Sequence, residues 1–177
     1  MSEAPGGVRA RIARRPRLWG AAFALLLLAA YVLAIRPTRE ATARHVVAPI
    51  LQSVDTPRAR TFDVAVPRGR AEAVFAVPKA GTLDDKVVWA APAGVIFLLP
   101  AMFLLVAFPT RPYWLWLLGY HLALGVTTTL IFAVGLGWWP VAFDIQQFAR
   151  TYISESVSLT VPLLLFLAGK AKELRGA

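Results

Sequence analysis

Cysteine is absent from all 177 residues, which removes disulfides, thiolate metal sites and thiol nucleophiles at once. Histidine occurs only twice, at His45 and His121, and His45 has no second metal-type ligand at helical spacing, so it reads as an interfacial polar residue. Charge is also scarce: 16% of residues are charged and 58% are hydrophobic, whereas an ordinary soluble domain is roughly 45–50% apolar. That balance excludes a soluble domain and implies a membrane protein. A serine elbow, a phosphate loop and a dinucleotide glycine pattern are all missing, and RGRAE at residues 68–72 has too few glycines to cradle phosphate. The expectation is a chain with no enzymatic activity of its own, no cofactor and no metal.

What the chain has is long apolar runs. Trp19–Ile35, Val87–Phe108, Tyr113–Trp138 and Phe148–Ala168 each approach the length needed to cross roughly 30 Å of hydrocarbon. The predicted fold class is therefore an all-α polytopic membrane protein with four transmembrane helices, divided as 1–18 basic N-terminus, 19–35, 87–108, 113–138 and 148–168 spans, a loop over 36–86, and a tail over 169–177. The net charge of +9 does not point to nucleic acid, because the basic residues flank apolar runs. Arg9, Arg11, Arg14, Arg15 and Arg17 precede the first run, and Lys170, Lys172 and Arg175 follow the last, which predicts both termini cytoplasmic. Trp19, Trp114 and Trp116 are expected at one interface, and Trp89, Trp138 and Trp139 at the other. The first run is longer than a signal-peptide core and lacks a following small-x-small cleavage site, so it reads as an uncleaved anchor.

In the loop, Ala43, Val46, Val47, Ile50, Leu51 and Val54 recur at helical spacing, predicting an amphipathic surface helix over Thr38–Val54 that Pro49 kinks or breaks. Residues 61–77 predict a β-hairpin around the PRGR turn, with Phe62, Val64 and Val66 on one arm and Val74, Phe75 and Val77 on the other. An isolated hairpin is marginal in water, so it must rest on the bundle or dock a partner.

Two ionisable residues fall inside apolar runs. His121 and Glu155 each lie about 12 Å deep from opposite faces, so their levels differ by only about 6 Å and a contact is geometrically allowed. Intramembrane ionisable groups usually face a bundle interior or cavity, which makes this pair the first functional candidate. The structural alternative places Glu155 at the interface beside Arg150, with Asp144, Gln146 and Gln147 nearby, and uses Ser154 and Ser158 as a small-xxx-small packing step; Ser156 and Thr160 are further helix–helix donors. Pro92, Pro100 and Pro162 within the runs predict kinks.

RRPRLWGAAFALLLLAAYVLAIRP at the start, AVFAVP before the second run and AFDIQQFARTY before the fourth give an order of parts that resembles the small exosortase-associated membrane proteins of bacteria. The resemblance covers most of the chain and rests on topology and texture. It implies an accessory subunit, in the bacterial inner membrane, of a system that sorts exported proteins, with the cysteine protease on a separate chain. The expected partners are membrane lipid and an integral membrane protein or a second copy of this chain. The alternative expectation is a small channel or transporter built on His121 and Glu155.

Overall fold

In the computed structural model of the protein, which describes residues 16–77 and 86–175, the first helix does not stop where its apolar run stops. Arg9, Arg11, Arg14 and Arg15, and loop residues 78–85, lie outside the described residues. Helix α1 (Pro16–Gln52) is continuous for 37 residues, about 55 Å at 1.5 Å per residue. The expected first span and the expected surface helix are thus one element. Besides Pro16 at its start, two prolines lie in its interior, and each follows a π turn, at Tyr31–Ile35 ahead of Pro37 and at Ala43–Val47 ahead of Pro49. In these turns the N–H groups of Arg36 and Ala48 donate five residues back, to the Tyr31 and Ala43 carbonyls. The wider turn shifts the carbonyl ladder where a proline ring meets it and has no N–H to offer. The break expected at Pro49 is replaced by this shift in hydrogen-bond register.

A short 3₁₀ turn at Ala59–Thr61 leads into an antiparallel sheet of three strands, β1 (Asp63–Ala65), β2 (Glu72–Ala76) and β3 (Lys86–Ala90), ordered β1-β2-β3. The expected hairpin is present as β1 and β2, with Val64 opposite Phe75, and Gly69 supplies the positive φ of 74° in its turn. The third strand corrects the sequence reading. Val87, Val88 and Trp89 were expected at the start of a transmembrane helix, yet they pair with β2, Trp89 opposite Ala73 and Val87 opposite Phe75. A continuous apolar run does not by itself distinguish helix from buried strand, and β-branched and aromatic residues favour the latter. Helix α2 therefore begins only at Val95 and ends at Ala107, 13 residues or about 20 Å.

Helix α3 (Tyr113–Gly137) matches its expected span to within one residue. Helix α4 starts at Val141, seven residues before the expected Phe148, passes through a π turn at Ala149–Ile153 and continues as Ser154–Arg175. Three helical stretches, Pro16–Gln52, Tyr113–Gly137 and Val141–Gly169, are long and apolar enough to cross a membrane, which marks the chain as a membrane protein. The all-α class gives way to a mostly helical fold with a small sheet.

The described residues form two cores stacked along the long helices. In the first, Ala24, Leu27 and Tyr31 of α1 meet Phe97, Ala101 and Leu104 of α2 and Leu117 of α3. In the second, Ala43, Val47 and Leu51 of α1 and Phe132 and Leu136 of α3 cover Phe75 and Trp89 of the sheet. Trp89 is 2% exposed, so it is a core residue and not the interfacial one expected; Trp138 and Trp139, at 70% and 55%, do face outward. Leu25, Leu33, Leu130, Leu159 and Leu163 project outward from the long helices, apolar surface of the kind that lipid covers.

Gly20 sets how closely α1 and α2 approach. A Cβ there meets the Leu105 carbonyl oxygen at 2.6 Å and the Val106 Cα at 3.1 Å, both backbone atoms. Gly20→Ala is expected to lower stability by about 1–3 kcal/mol through overpacking. Gly119→Ala, on α3 with open space around it, is expected to raise stability by roughly 0.5–1 kcal/mol through the helix preference of alanine. Thermal unfolding of both variants in detergent micelles reads the contrast.

Candidate functional site

The four residues between β3 and α2, Ala91-Pro92-Ala93-Gly94, change the chain from strand to helix inside an apolar run. Pro92 has no N–H to continue a ladder, Ala93 adopts a left-handed φ of 57°, and Gly94 caps α2 in an extended conformation. The Ala91 N–H still reaches the Ala71 carbonyl at 2.9 Å. The carbonyls of Ala91 and Pro92 are satisfied by a side chain: Arg39 of α1 donates from Nη2 to Ala91 at 2.7 Å and from Nε to Pro92 at 2.7 Å. Its Nη1 also lies 3.5 Å from the Tyr31 hydroxyl. The guanidinium passes close over Gly94, where a Cβ lies 3.1 Å from Nη2 and requires the side chain to give by a few tenths of an ångström. On the other side, Pro92 seats against Gly125 of α3, where a Cβ meets its ring at 2.5 Å. One turn along α3, Thr129 accepts the Trp89 indole N–H at 2.7 Å and donates to the Gly125 carbonyl at 2.7 Å.

Beside this junction lies a cavity of about 400 Å³ whose polar lining comes from Arg39, Arg70, Glu72, His121, Thr128, Gln146, Arg150 and Ser154. Arg150 and Glu72 approach to 3.8 Å, linking α4 to β2 across it. A second cavity of about 410 Å³ runs between β3 and α4, lined by Lys86, Gln147, Arg150, Thr151 and Glu155.

The residues singled out from sequence divide between these places. His121 Nε2 lies 2.8 Å from Ser158 Oγ, both buried, and the imidazole edge rests on Phe97. The distance is that of a nucleophile and its base, but Ser158 has no exposed surface for a substrate to reach, so the bond acts as a tie between α3 and α4. Ser154 and Ser158 are both buried, and Ser154 borders the first cavity with Arg150. Glu155 is exposed and opens to the second cavity, while the partner of His121 is Ser158, one helical turn further along α4. Of the hairpin residues, Phe62, Val64 and Val66 lie partly buried against the sheet core, Phe75 is fully buried 5.1 Å from the Phe132 ring, and Val74 and Val77 are partly exposed. His45 is exposed on α1.

Sequence reasoning gave no role to Arg39, weighed Arg70 and Glu72 only as part of a rejected phosphate loop, and named Gln146 only as a neighbour of Glu155. The available signal was the proline and glycine of residues 91–94 in the middle of an apolar run, which mark a break and so predict carbonyls in search of a donor. Among the described residues no group of three or more histidine or acidic side chains is placed to hold a metal ion. Comparison with protein-family models, with curated proteins and with solved structures finds no match in any of the three.

Four substitutions at three positions separate the parts of this site. Arg39→Ala is expected to cost about 3 kcal/mol or more, since two charge-assisted hydrogen bonds at about 1.5–3 kcal/mol each are lost. Arg39→Lys, which keeps the charge but loses the fork geometry, should fall between. Ser158→Ala is expected to cost about 1 kcal/mol, typical of an interhelical hydrogen bond in a membrane, and Glu155→Gln less than about 0.5 kcal/mol. Unfolding in micelles orders the four; a larger effect at Glu155 than at Ser158 would overturn the assignment.

Proposed function

We propose that the chain is a non-catalytic integral membrane subunit that crosses the bilayer four times and presents its sheet to a partner on the extracytoplasmic side. The observation that carries this reading is the sheet edge. Within the sheet of the described residues β1 pairs only with β2, and the sheet is fixed from below by Phe75 on Phe132 and by Trp89 on Thr129. A rigidly mounted strand at the edge of its sheet offers a side to which another chain can add a strand. The buried Phe75 belongs to the mounting, so contact runs through β1 and the outward side of β2 at Val74.

Charge spacing supports four crossings. Arg17 and Arg36 on α1 are separated by about 29 Å along the axis and Arg150 and Lys170 on α4 by about 30 Å, both matching the thickness of a hydrocarbon core. Between the same levels, α2 supplies about 20 Å and the non-helical residues 91–94 at most about 13 Å, which together suit a crossing that is part irregular and part helical. Irregular backbone at that depth requires protein donors, and Arg39 provides them. The N-terminal arginines and the lysines after α4 assign that face to the cytoplasm. The order of parts resembles that of small exosortase-associated membrane proteins, which makes an inner-membrane sorting complex the partner class to test first. Passage of ions through His121 and Glu155 has less support, because the two residues border different cavities.

The cysteine-free sequence makes the test direct. Asp55→Cys and Thr110→Cys, both at exposed positions, are expected to label with an impermeant maleimide from opposite sides of the membrane; labelling from one side sinks the topology. Purification in mild detergent should yield a stoichiometric protein partner, reduced by Val64→Pro while insertion is unchanged. A homo-oligomer that conducts ions in liposomes, with no partner, would favour the transport reading instead.

A further inference from the structure

The first cavity has the wrong lining for a packing defect. Arg39, Arg70 and Arg150 face it with one carboxylate, Glu72, leaving an excess of two positive charges in a space of about 400 Å³, a volume within the range of small-ligand sites. We infer that this cavity holds the phosphate-bearing headgroup of an anionic phospholipid drawn from the leaflet on the sheet side. The inference rests on the bilayer placement proposed above, which sets Arg150 and the turn holding Arg36 and Arg39 at the hydrocarbon boundary, the depth of lipid phosphates.

Three features favour a lipid over a soluble anion. Val95 and Ile96 border the cavity and are 58% and 39% exposed, so its rim is apolar where a water-filled mouth would be polar. From Ile96 an exposed apolar stripe continues through Leu99 and Phe103 on one face of α2, seven residues or about 10 Å toward the opposite side of the bilayer. Phe103 meets Phe166 of α4 at 5.7 Å between ring centroids, so this stripe borders the α2–α4 groove, a track for an acyl chain leading away from the headgroup. His121 lines the cavity but is tied to Ser158, so the phosphate is held by the arginines. Arg39 is already committed to the carbonyls of Ala91 and Pro92, and Arg150 lies 3.8 Å from Glu72; Arg70 and Arg150 are exposed and can turn to a phosphate without leaving a buried charge.

Native mass spectrometry of the full chain in mild detergent, titrated with phosphatidylglycerol, phosphatidylcholine or glycerol 3-phosphate, tests this. One phosphatidylglycerol should be retained, with weaker retention of phosphatidylcholine and of glycerol 3-phosphate at equal concentration. Arg70→Gln and Arg150→Gln should each weaken retention about tenfold, the scale of one charge-assisted hydrogen bond, while Arg58→Gln, whose guanidinium lies over Phe143 away from the cavity, leaves it unchanged. Arg70→Gln alone serves if the Arg150 variant unfolds. Equal retention of phosphatidylcholine means a non-selective lipid coat and overturns the proposal, as does equal binding of glycerol 3-phosphate, which means a soluble-anion site. Unchanged retention in both arginine variants places the lipid elsewhere and also overturns it. Because the measurement is made in micelles, its outcome is independent of the cysteine labelling that tests the topology.

Discussion

The fork of hydrogen bonds from Arg39 to the carbonyls of Ala91 and Pro92 is the constraint on which the architecture turns. An unsatisfied backbone carbonyl in an apolar setting costs several kcal/mol, and an arginine drawn partly out of water is costly without partners. Placed together, each removes the other's penalty. The pairing lets a strand end and a helix begin within a single apolar run, which fixes where the sheet stands over the bundle and where α2 starts. It also explains the local residue choice: Gly94 admits the guanidinium, Gly125 admits the Pro92 ring, and the left-handed Ala93 is a strain of about 1–2 kcal/mol that the clamped neighbours on either side hold in place.

Around that clamp, the long helices do two jobs in succession. The first half of α1 packs on α2 through small residues, with Gly20 against the backbone at Leu105, and its second half covers the sheet with Ala43, Val47 and Leu51. Helix α3 repeats the division, with Leu117 in the first core and Phe132 and Leu136 in the second. The change of neighbour from helix to sheet alters the side chains required: close helix pairs take glycine and alanine, while the gap over a pleated sheet is filled by aromatics such as Phe75, Trp89 and Phe132. The π turns of α1 allow one uninterrupted helix to serve both layers despite two prolines.

How much of this was legible in the sequence depended on whether the signal was local. The bounds of α3, Tyr113–Gly137, follow from run length, and β1 and β2 follow from alternation about a glycine turn. The strand β3 was not legible, because Val87, Val88 and Trp89 satisfy both a helix and a buried strand, and only pairing with β2 decides between them. The continuity of α1 was hidden by a sound rule about proline whose exception, a preceding π turn, leaves no sequence mark. His121 was singled out as a polar residue within an apolar run, and it is buried in the bundle with Ser158, one turn beyond Glu155, as its partner; depth estimated at 1.5 Å per residue cannot resolve one turn. Arg39 reaches carbonyls 52 and 53 residues away in sequence, and a surface arginine near the end of an apolar run carries no sign of that reach.

The polar residues collect at one level for a related reason. Along a regular helix or strand every backbone group has its partner, so a polar side chain pointing inward gains little. At the strand-to-helix switch that regularity lapses, and the space that a continuous helix would have filled is left open beside α4. Arg39 enters to serve the carbonyls, and Glu72, Gln146 and Arg150 line the cavity beside it. Removing the break by making residues 86–107 a plain helix would eliminate the sheet's third strand, the reason for Arg39 and the cavity together. The departure from an ordinary four-helix bundle is therefore a single change, and the features that distinguish this chain, its mounted sheet and its basic cavity, both follow from it.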